Sequence, residues 1–394
     1  MRIVLFYSAT ESFNFFTDQL AKELQIRGHE VFILNLTLFQ AEDTRSLEAF
    51  LEFVSQKVDA AICFDGLGAR DDIFIELWDS WQTVVVDILM DPPLRFHPTF
   101  EKHPHNYRLF CCDKDHVEYV KRYFGKEVPF VGFMPHVGVV PEENVSVIPY
   151  KDKKYDILFS GTYYRPQDMF AKLEETFAKD TPIYDIYRYV FDYLVEDSSL
   201  TVEQAMLKAI DGLGLSRSMD EKTLKILLRC SEPVDWAIRM YQRERVVKVL
   251  ANAGFDIYLL GRGWENHDCS GHPNVHRIDD RIPYKETLSY MADTKINLNV
   301  FPWFKAGTHD RIFNALLQHS LPLTDSSKWI TKNFKDGEDI ALYELKHLER
   351  LPAITDWLLQ NNELAEKMIQ KGYEKVRNNY TWGNCVDWIL KAII

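Results

Sequence analysis

Six short apolar runs with helical patterns between them fill the first 135 residues: 2–7, 30–36, 59–64, 83–88, 107–112 and 128–134. Runs this short and this uniformly apolar suit parallel strands covered on both faces. Ser12 is placed to cap a first helix reaching Arg27, and Gly28 stops it. Leu47, Phe50, Leu51 and Val54 mark one face of a second helix over residues 44–57. Parallel strands need right-handed crossovers, which distribute the helices over both faces. The pattern therefore predicts an α/β, doubly wound domain. Its first turn, Ser8 to Ser12, lacks the Gly-x-Gly-x-x-Gly fingerprint of a dinucleotide site, which argues against NAD or FAD there.

With 394 residues the chain has room for a second domain. Residues 137–154 contain two prolines and a charge cluster and read as a linker. The expected organisation is a first domain over 1–136, a second over 155–380 and a terminal helix over 381–394. The second domain opens with a strand at 155–160, followed by Gly161-Thr162-Tyr163-Tyr164-Arg165. A glycine straight after a strand lets a ligand approach the backbone. Residues 166–253 are helical in pattern throughout and read as an insertion. It ends in a basic stretch, Arg239 to Arg245, whose plain reading is a solvated face with i,i+4 pairing. The next strand, 255–260, ends in Gly261-Arg262-Gly263-Trp264. Gly-x-Gly at a strand end allows a tight turn beside a ligand, and Trp264 is placed to stack on a base. Another strand over 275–278 precedes Ile282-Pro283-Tyr284 and a helix to Ala292.

The most informative stretch is 296–343. An apolar run at 296–301, a loop with Pro302 and Gly307, a helix from about Thr308, and a strand at 321–324 form a strand–loop–helix–strand unit. Open parallel sheets bind ligands at the carboxyl ends of their strands. The loop also feeds a helix N-terminus, where free N–H groups and the dipole favour an anion. Thr308, His309 and Arg311 in that first turn offer a hydroxyl, an imidazole and a guanidinium, the groups a diphosphate requires. An ordinary turn with solvated polar residues has the same pattern.

The runs Gly-Thr-His-Asp-Arg-Ile-Phe-Asn-Ala-Leu-Leu from Gly307, Leu-Pro-Leu-Thr-Asp from Leu321 and Phe-Lys-Asp-Gly-Glu-Asp-Ile-Ala-Leu-Tyr from Phe334 resemble a bacterial glycosyltransferase signature. The group is the spore-maturation-protein-like branch of the glycosyl transferases group 1 set, with the GT-B architecture. The resemblance implies two Rossmann-like domains facing a cleft. The first would take the acceptor and the second a nucleotide-sugar donor, a UDP-sugar in particular. The terminal helix would cross back onto the first domain. It further implies that Gly161, Thr162, Arg262, Gly263, Trp264, Gly307, Thr308, His309 and Arg311 face the donor, and that a residue near Tyr284 contacts its base. Many relatives are acidic where this chain has Asn314, which can still hydrogen-bond a hydroxyl but carries no charge.

Two loops of the first half could carry acceptor chemistry. Asp91 precedes two prolines and is a candidate general base; a turn-capping role is the alternative. His136 follows the last strand of that half and is a second candidate, or merely a loop histidine. Asp113-Lys114-Asp115 is read as a helix N-cap and first-turn acid, not a metal site. His267, Cys269, His272 and His276 match no trusted metal spacing.

A net charge of −13 argues against a broad nucleic-acid surface. No run reaches the roughly 18 apolar residues of a membrane span. The opening MRIVLFYSATES reads as a strand and not a secretory leader. Six cysteines without framework spacing suggest reduced thiols in a cytoplasmic protein. The expected activity is metal-independent transfer of a hexosyl or N-acetylhexosaminyl group from a nucleotide-diphosphate sugar, with no cofactor. Arg311 would act on the diphosphate and Asp91 or His136 as base. The acceptor (protein, polysaccharide, lipid or small molecule) is not readable. A noncatalytic nucleotide-sugar binder and a nucleotide-sugar epimerase are the competing readings.

Overall fold

The computed structural model describes residues 1–142, 146–179, 181–278, 282–301 and 303–394. Pro302 of the expected loop and residues 143–145 of the expected linker lie outside the described residues. Twelve strands among the described residues form two six-stranded sheets, and every pairing of these strands is parallel. The first sheet holds β1 (Arg2–Tyr7), β2 (Glu30–Asn35), β3 (Ala60–Phe64), β4 (Val84–Leu89), β5 (Tyr107–Cys111) and β6 (Val131–Phe133), in the order β2-β1-β3-β4-β5-β6. The second holds β7 (Tyr155–Ser160), β8 (Ile257–Leu260), β9 (Val275–Arg277), β10 (Thr294–Asn299), β11 (Leu321–Asp325) and β12 (Ala341–Tyr343), in the order β12-β11-β10-β7-β8-β9. The first is the doubly wound sheet that the alternating pattern predicts, and together they are the two Rossmann-like sheets that the resemblance implies.

In the second sheet the chain builds outward through β7, β8 and β9, then returns to place β10 against the other side of β7. The order thus reverses between β7 and β10. The connections leaving those two strands pass to opposite faces, which opens a crevice at their carboxyl ends.

Element boundaries move by a few residues from the sequence reading. The first helix spans Glu11–Ile26 with Thr10, not Ser12, at its cap position. β10 starts and ends two residues earlier than the run 296–301, its first residue pairing with Tyr155, and Asn297 and Asn299 within it are buried with partners. Asn297 donates to Met291 O and Ser320 Oγ, and Asn299 to Thr324 Oγ1 at 2.8 Å. The helical segment is real: Pro166–Thr176, Pro182–Glu196, Val202–Gly212, Glu221–Cys230 and Glu232–Asn252.

The chain divides into two compact units. The first comprises 1–139, 283–285 and 378–394; the second comprises 140–282 and 286–377. The second unit claims part of the stretch expected to be linker. Tyr150 is buried in its core and donates to Leu358 O. The last helix, Trp382–Ile393, belongs to the first unit. Trp382 packs on Phe16 and Phe64, Arg27 pairs with Asp387 at 2.9 Å, and Gly138 N–H donates to Tyr380 O. Thr381 and Asn384 form a reciprocal capping box at the start of this helix. Thr381→Ala is expected to cost about 1 kcal/mol and to speed hydrogen exchange in the first turn of that helix. Unchanged exchange there would count against the cap.

Candidate functional site

Three connections meet at the carboxyl ends of β7, β8 and β10. The first two run side by side and approach closely at their glycines. Gly161 N–H donates to Leu260 O and Tyr163 N–H to Arg262 O, both at 2.8 Å. A methyl at Gly261 would lie 2.5 Å from Gly161 O, and one at Gly263 1.9 Å from Tyr163 O. Gly263 also has φ +86°, so only glycine fits this approach without strain. Trp264 lies beneath the pair. It is 1 % exposed, stacks on Tyr163 and donates its indole N–H to Gly161 O at 2.7 Å. The structure thus corrects its expected role: Trp264 supports the loops from within the core, because its ring is wholly enclosed there. Arg262 is exposed and contributes its carbonyl to the ladder.

The third connection leads from β10 into the helix Asp310–Leu317. Phe301 N–H donates to Asp325 Oδ1, and Ser327 Oγ to Gly307 O at 2.6 Å, so the ends of β10 and β11 grip the loop. His309 occupies the cap position and Thr308 is fully buried before it, so the helix starts two residues later than the sequence suggests. Arg311 Nη2 lies 2.7 Å from His309 Nε2. A guanidinium can only donate, so Nε2 accepts and the imidazole proton sits on Nδ1. That proton faces Asp310 Oδ1 at 2.5 Å. The 3.4 Å approach of Arg311 N–H to the same Nδ1 then contributes little. Asp310, His309 and Arg311 form a relay that fixes the guanidinium. Asn314 Nδ2 points at Asp310 Oδ2 at 3.4 Å, one turn along. A carboxylate at position 314 would repel Asp310, whereas the amide donates to it.

The helical segment supplies two cations that sequence reasoning assigned to structure alone. Arg239 and Arg243, on Glu232–Asn252, are buried, as is Arg311. The Arg243 and Arg311 guanidiniums stand 5.6 and 5.3 Å from the centre of the Phe159 ring on β7. Arg239 and Arg243 also flank Trp303, at 4.1 and 5.3 Å. Arg239 is paired with buried Asp235 at 2.7 Å, and Arg243 donates to Thr162 O. The available cue was spacing: Asp235, Arg239 and Arg243 fall on the same stripe as buried Val246 and Leu250.

Beside this cluster, Asp325 borders a cavity of about 360 Å³, lined also by Ser198, Ser199, Lys305, Ser327 and Lys346. Burial lifts the Asp325 carboxyl from 3.8 to about 6; the Phe301 N–H, Lys305 and Arg311 pull the other way. The folded chain therefore keeps this proton at pH values where the unfolded chain has lost it. Stability should rise as pH falls from above 6 toward 3.8, and Asp325→Asn should remove that rise. Denaturant titrations at about pH 7.5 and about pH 5 check this; an equal pH response in both proteins would refute it.

The remaining expected residues lie in the first unit. Asp91 pairs with Arg95 at 3.1 Å. His136 is buried after β6. Tyr284 packs on Phe15 and Phe16, and its N–H donates to Glu11, so by its contacts it belongs with the first unit. Asp65 was missed. It follows β3 at φ +52°, accepts from Met90 N–H, and is pushed well above the ordinary carboxylate range by burial and by Asp91. Its left-handed, non-glycine backbone before Gly66 is a property of the fold that no sequence signal carries. Asp113 caps the helix Lys114–Phe124 as expected. Among the described residues no group of three His, Cys, Asp or Glu side chains gathers at metal-binding range. No helix among them is long and apolar enough to cross a membrane, and all six cysteines are free.

Residues 242–391 match the family model described as "glycosyl transferase-like". No curated protein matches the chain. Solved structures match over almost its whole length at low identity. A glycosyltransferase from Rickettsia africae ESF-5 is 11% identical with a TM-score of 0.52, covering 100% of this chain and 97% of its own. The sucrose-phosphate synthase of Thermosynechococcus elongatus is 10% identical with a TM-score of 0.56, covering 99% and 98%. An alpha-glucosyltransferase solved with UDP and a 13-mer DNA is 12% identical with a TM-score of 0.57, covering 100% and 99%.

Proposed function

We propose that this chain, a glycosyltransferase with the GT-B fold, moves a hexosyl or N-acetylhexosaminyl group from a nucleoside-diphosphate sugar, a UDP-sugar in the first instance, to an acceptor hydroxyl. The observation that carries the reading is the Arg311 guanidinium, held by the Asp310–His309 relay at the start of a helix and facing Phe159 on β7. As the bond to the sugar carbon stretches, negative charge grows on the departing diphosphate. Fixed positive potential there lowers the barrier most. Arg311 and the amides of the first helical turn supply it without a metal ion. The hydroxyls and lysines of the adjoining cavity offer hydrogen-bond partners for the sugar. That the structurally similar alpha-glucosyltransferase was solved with UDP supports testing uridine donors first. If transfer inverts, Asp91 or His136 takes the acceptor proton; front-face transfer with retention needs no protein base. With six free cysteines and no helix among the described residues long and apolar enough to cross a membrane, the chain is proposed to work in the cytoplasm.

Incubation with a panel of UDP-, GDP- and dTDP-sugars tests this. One donor should stabilise the protein and release nucleoside diphosphate, slowly into water and faster with acceptor. Stabilisation without release would mark a binding protein, and a changed sugar still attached to nucleotide an epimerase. Either result would overturn transfer.

A further inference from the structure

The helical segment between β7 and β8 presents part of itself to the same ring that Arg311 faces. Phe159, on β7 at the point where strand order reverses, has the Arg311 guanidinium at 5.3 Å and the Arg243 guanidinium at 5.6 Å. Both arginines are less than a tenth exposed. Two guanidiniums around one enclosed ring gather positive charge at this end of the sheet, and the low local dielectric strengthens its pull on an anion. The backbone is shaped for such an approach: a methyl built on Gly161, at φ +155°, would meet Arg243 Cζ at 3.7 Å and Phe159 at 3.3 Å. A larger side chain there would occupy the space in front of the guanidinium.

We infer that Arg243 is a diphosphate-binding residue, which together with Arg311 clasps the two phosphates of the donor, so that the helical segment forms part of the donor site. This rests on the sugar-nucleotide reading above. Arg239 serves as a positioning residue. Its pairing with Asp235 at 2.7 Å and its stacking on Trp303 at 4.1 Å hold the ring against which Arg243 lies. Arg243 also donates to Thr162 O, so the same guanidinium ties the Gly161 loop to the helix. A residue serving only that tie would affect all nucleotides alike. One that binds the second phosphate distinguishes diphosphates from monophosphates.

The test is titration calorimetry on the full chain with UDP and UMP, or with the diphosphate and monophosphate of whichever base binds. Arg243→Ala should weaken the diphosphate by about tenfold to a hundredfold and the monophosphate by less than about threefold. Arg243→Lys should restore part of the loss, because an ammonium keeps the charge but not the bidentate fork. Should the alanine variant fail to fold, the lysine variant carries the comparison, with an expected loss of about threefold to tenfold confined to the diphosphate. Equal losses for both nucleotides, or an unchanged diphosphate affinity, overturn the inference while leaving the donor reading in place. A native chain that binds none of the diphosphates overturns the donor reading itself.

Discussion

Arg311→Ala is expected to weaken nucleoside-diphosphate binding by about a hundredfold, the loss of a charge-assisted, two-pronged contact of roughly 1.5–3 kcal/mol. The turnover rate should fall further than affinity, because charge on the leaving group is largest in the transition state. The effect is specific to this guanidinium: its orientation is set by His309 Nε2 at 2.7 Å, itself oriented by Asp310 at 2.5 Å. His309→Ala should therefore reproduce part of the loss while leaving the arginine present. Calorimetry with the diphosphate, alongside steady-state rates on the best donor, measures both. A dissociation constant for Arg311→Ala within about threefold of the native value would place the donor elsewhere.

Gly263→Ala is expected to destabilise the fold by about 3 kcal/mol or more, combining the left-handed backbone cost with a clash that the loop must open to relieve. The added methyl would sit 1.9 Å from Tyr163 O, at φ +86°. Relief means separating the two connections, which breaks the Tyr163 N–H bond to Arg262 O and disturbs the Trp264 bond to Gly161 O. The comparison is Gly337→Ala. Gly337 also has positive φ, +72°, but a methyl there meets nothing within 4 Å. Its cost should stay near 1 kcal/mol, the conformational share alone. Urea unfolding of the two variants separates clash from conformation; equal losses would show that the loops part without penalty.

The sheets were readable because parallel strands buried on both faces carry an unbroken apolar signal, and β1 and β7 match the expected limits. β6 is shorter than its apolar run because only Val131–Phe133 pairs with β5. The Gly307–Asn314 segment was readable through its position between a strand and a helix. Arg239 and Arg243 were not, since a basic helical run usually faces water and burial depends on partners far along the chain. Only tertiary packing brings Phe159 and Trp303 to them. Trp264 erred the other way: beside Gly-x-Gly it resembles a ligand platform, yet a large aromatic ring gains most by enclosure.

The terminal helix has a practical consequence for dissecting the molecule. Neither unit is encoded by one uninterrupted piece of gene, since the first takes residues from three separate places. A fragment ending at residue 139 would strip the cover from Phe16 and Phe64 and leave a greasy scar prone to self-association. Fusing residues 378–394 behind it through a flexible tether would restore the missing wall, so separate production of the two halves calls for rewiring, not simple truncation.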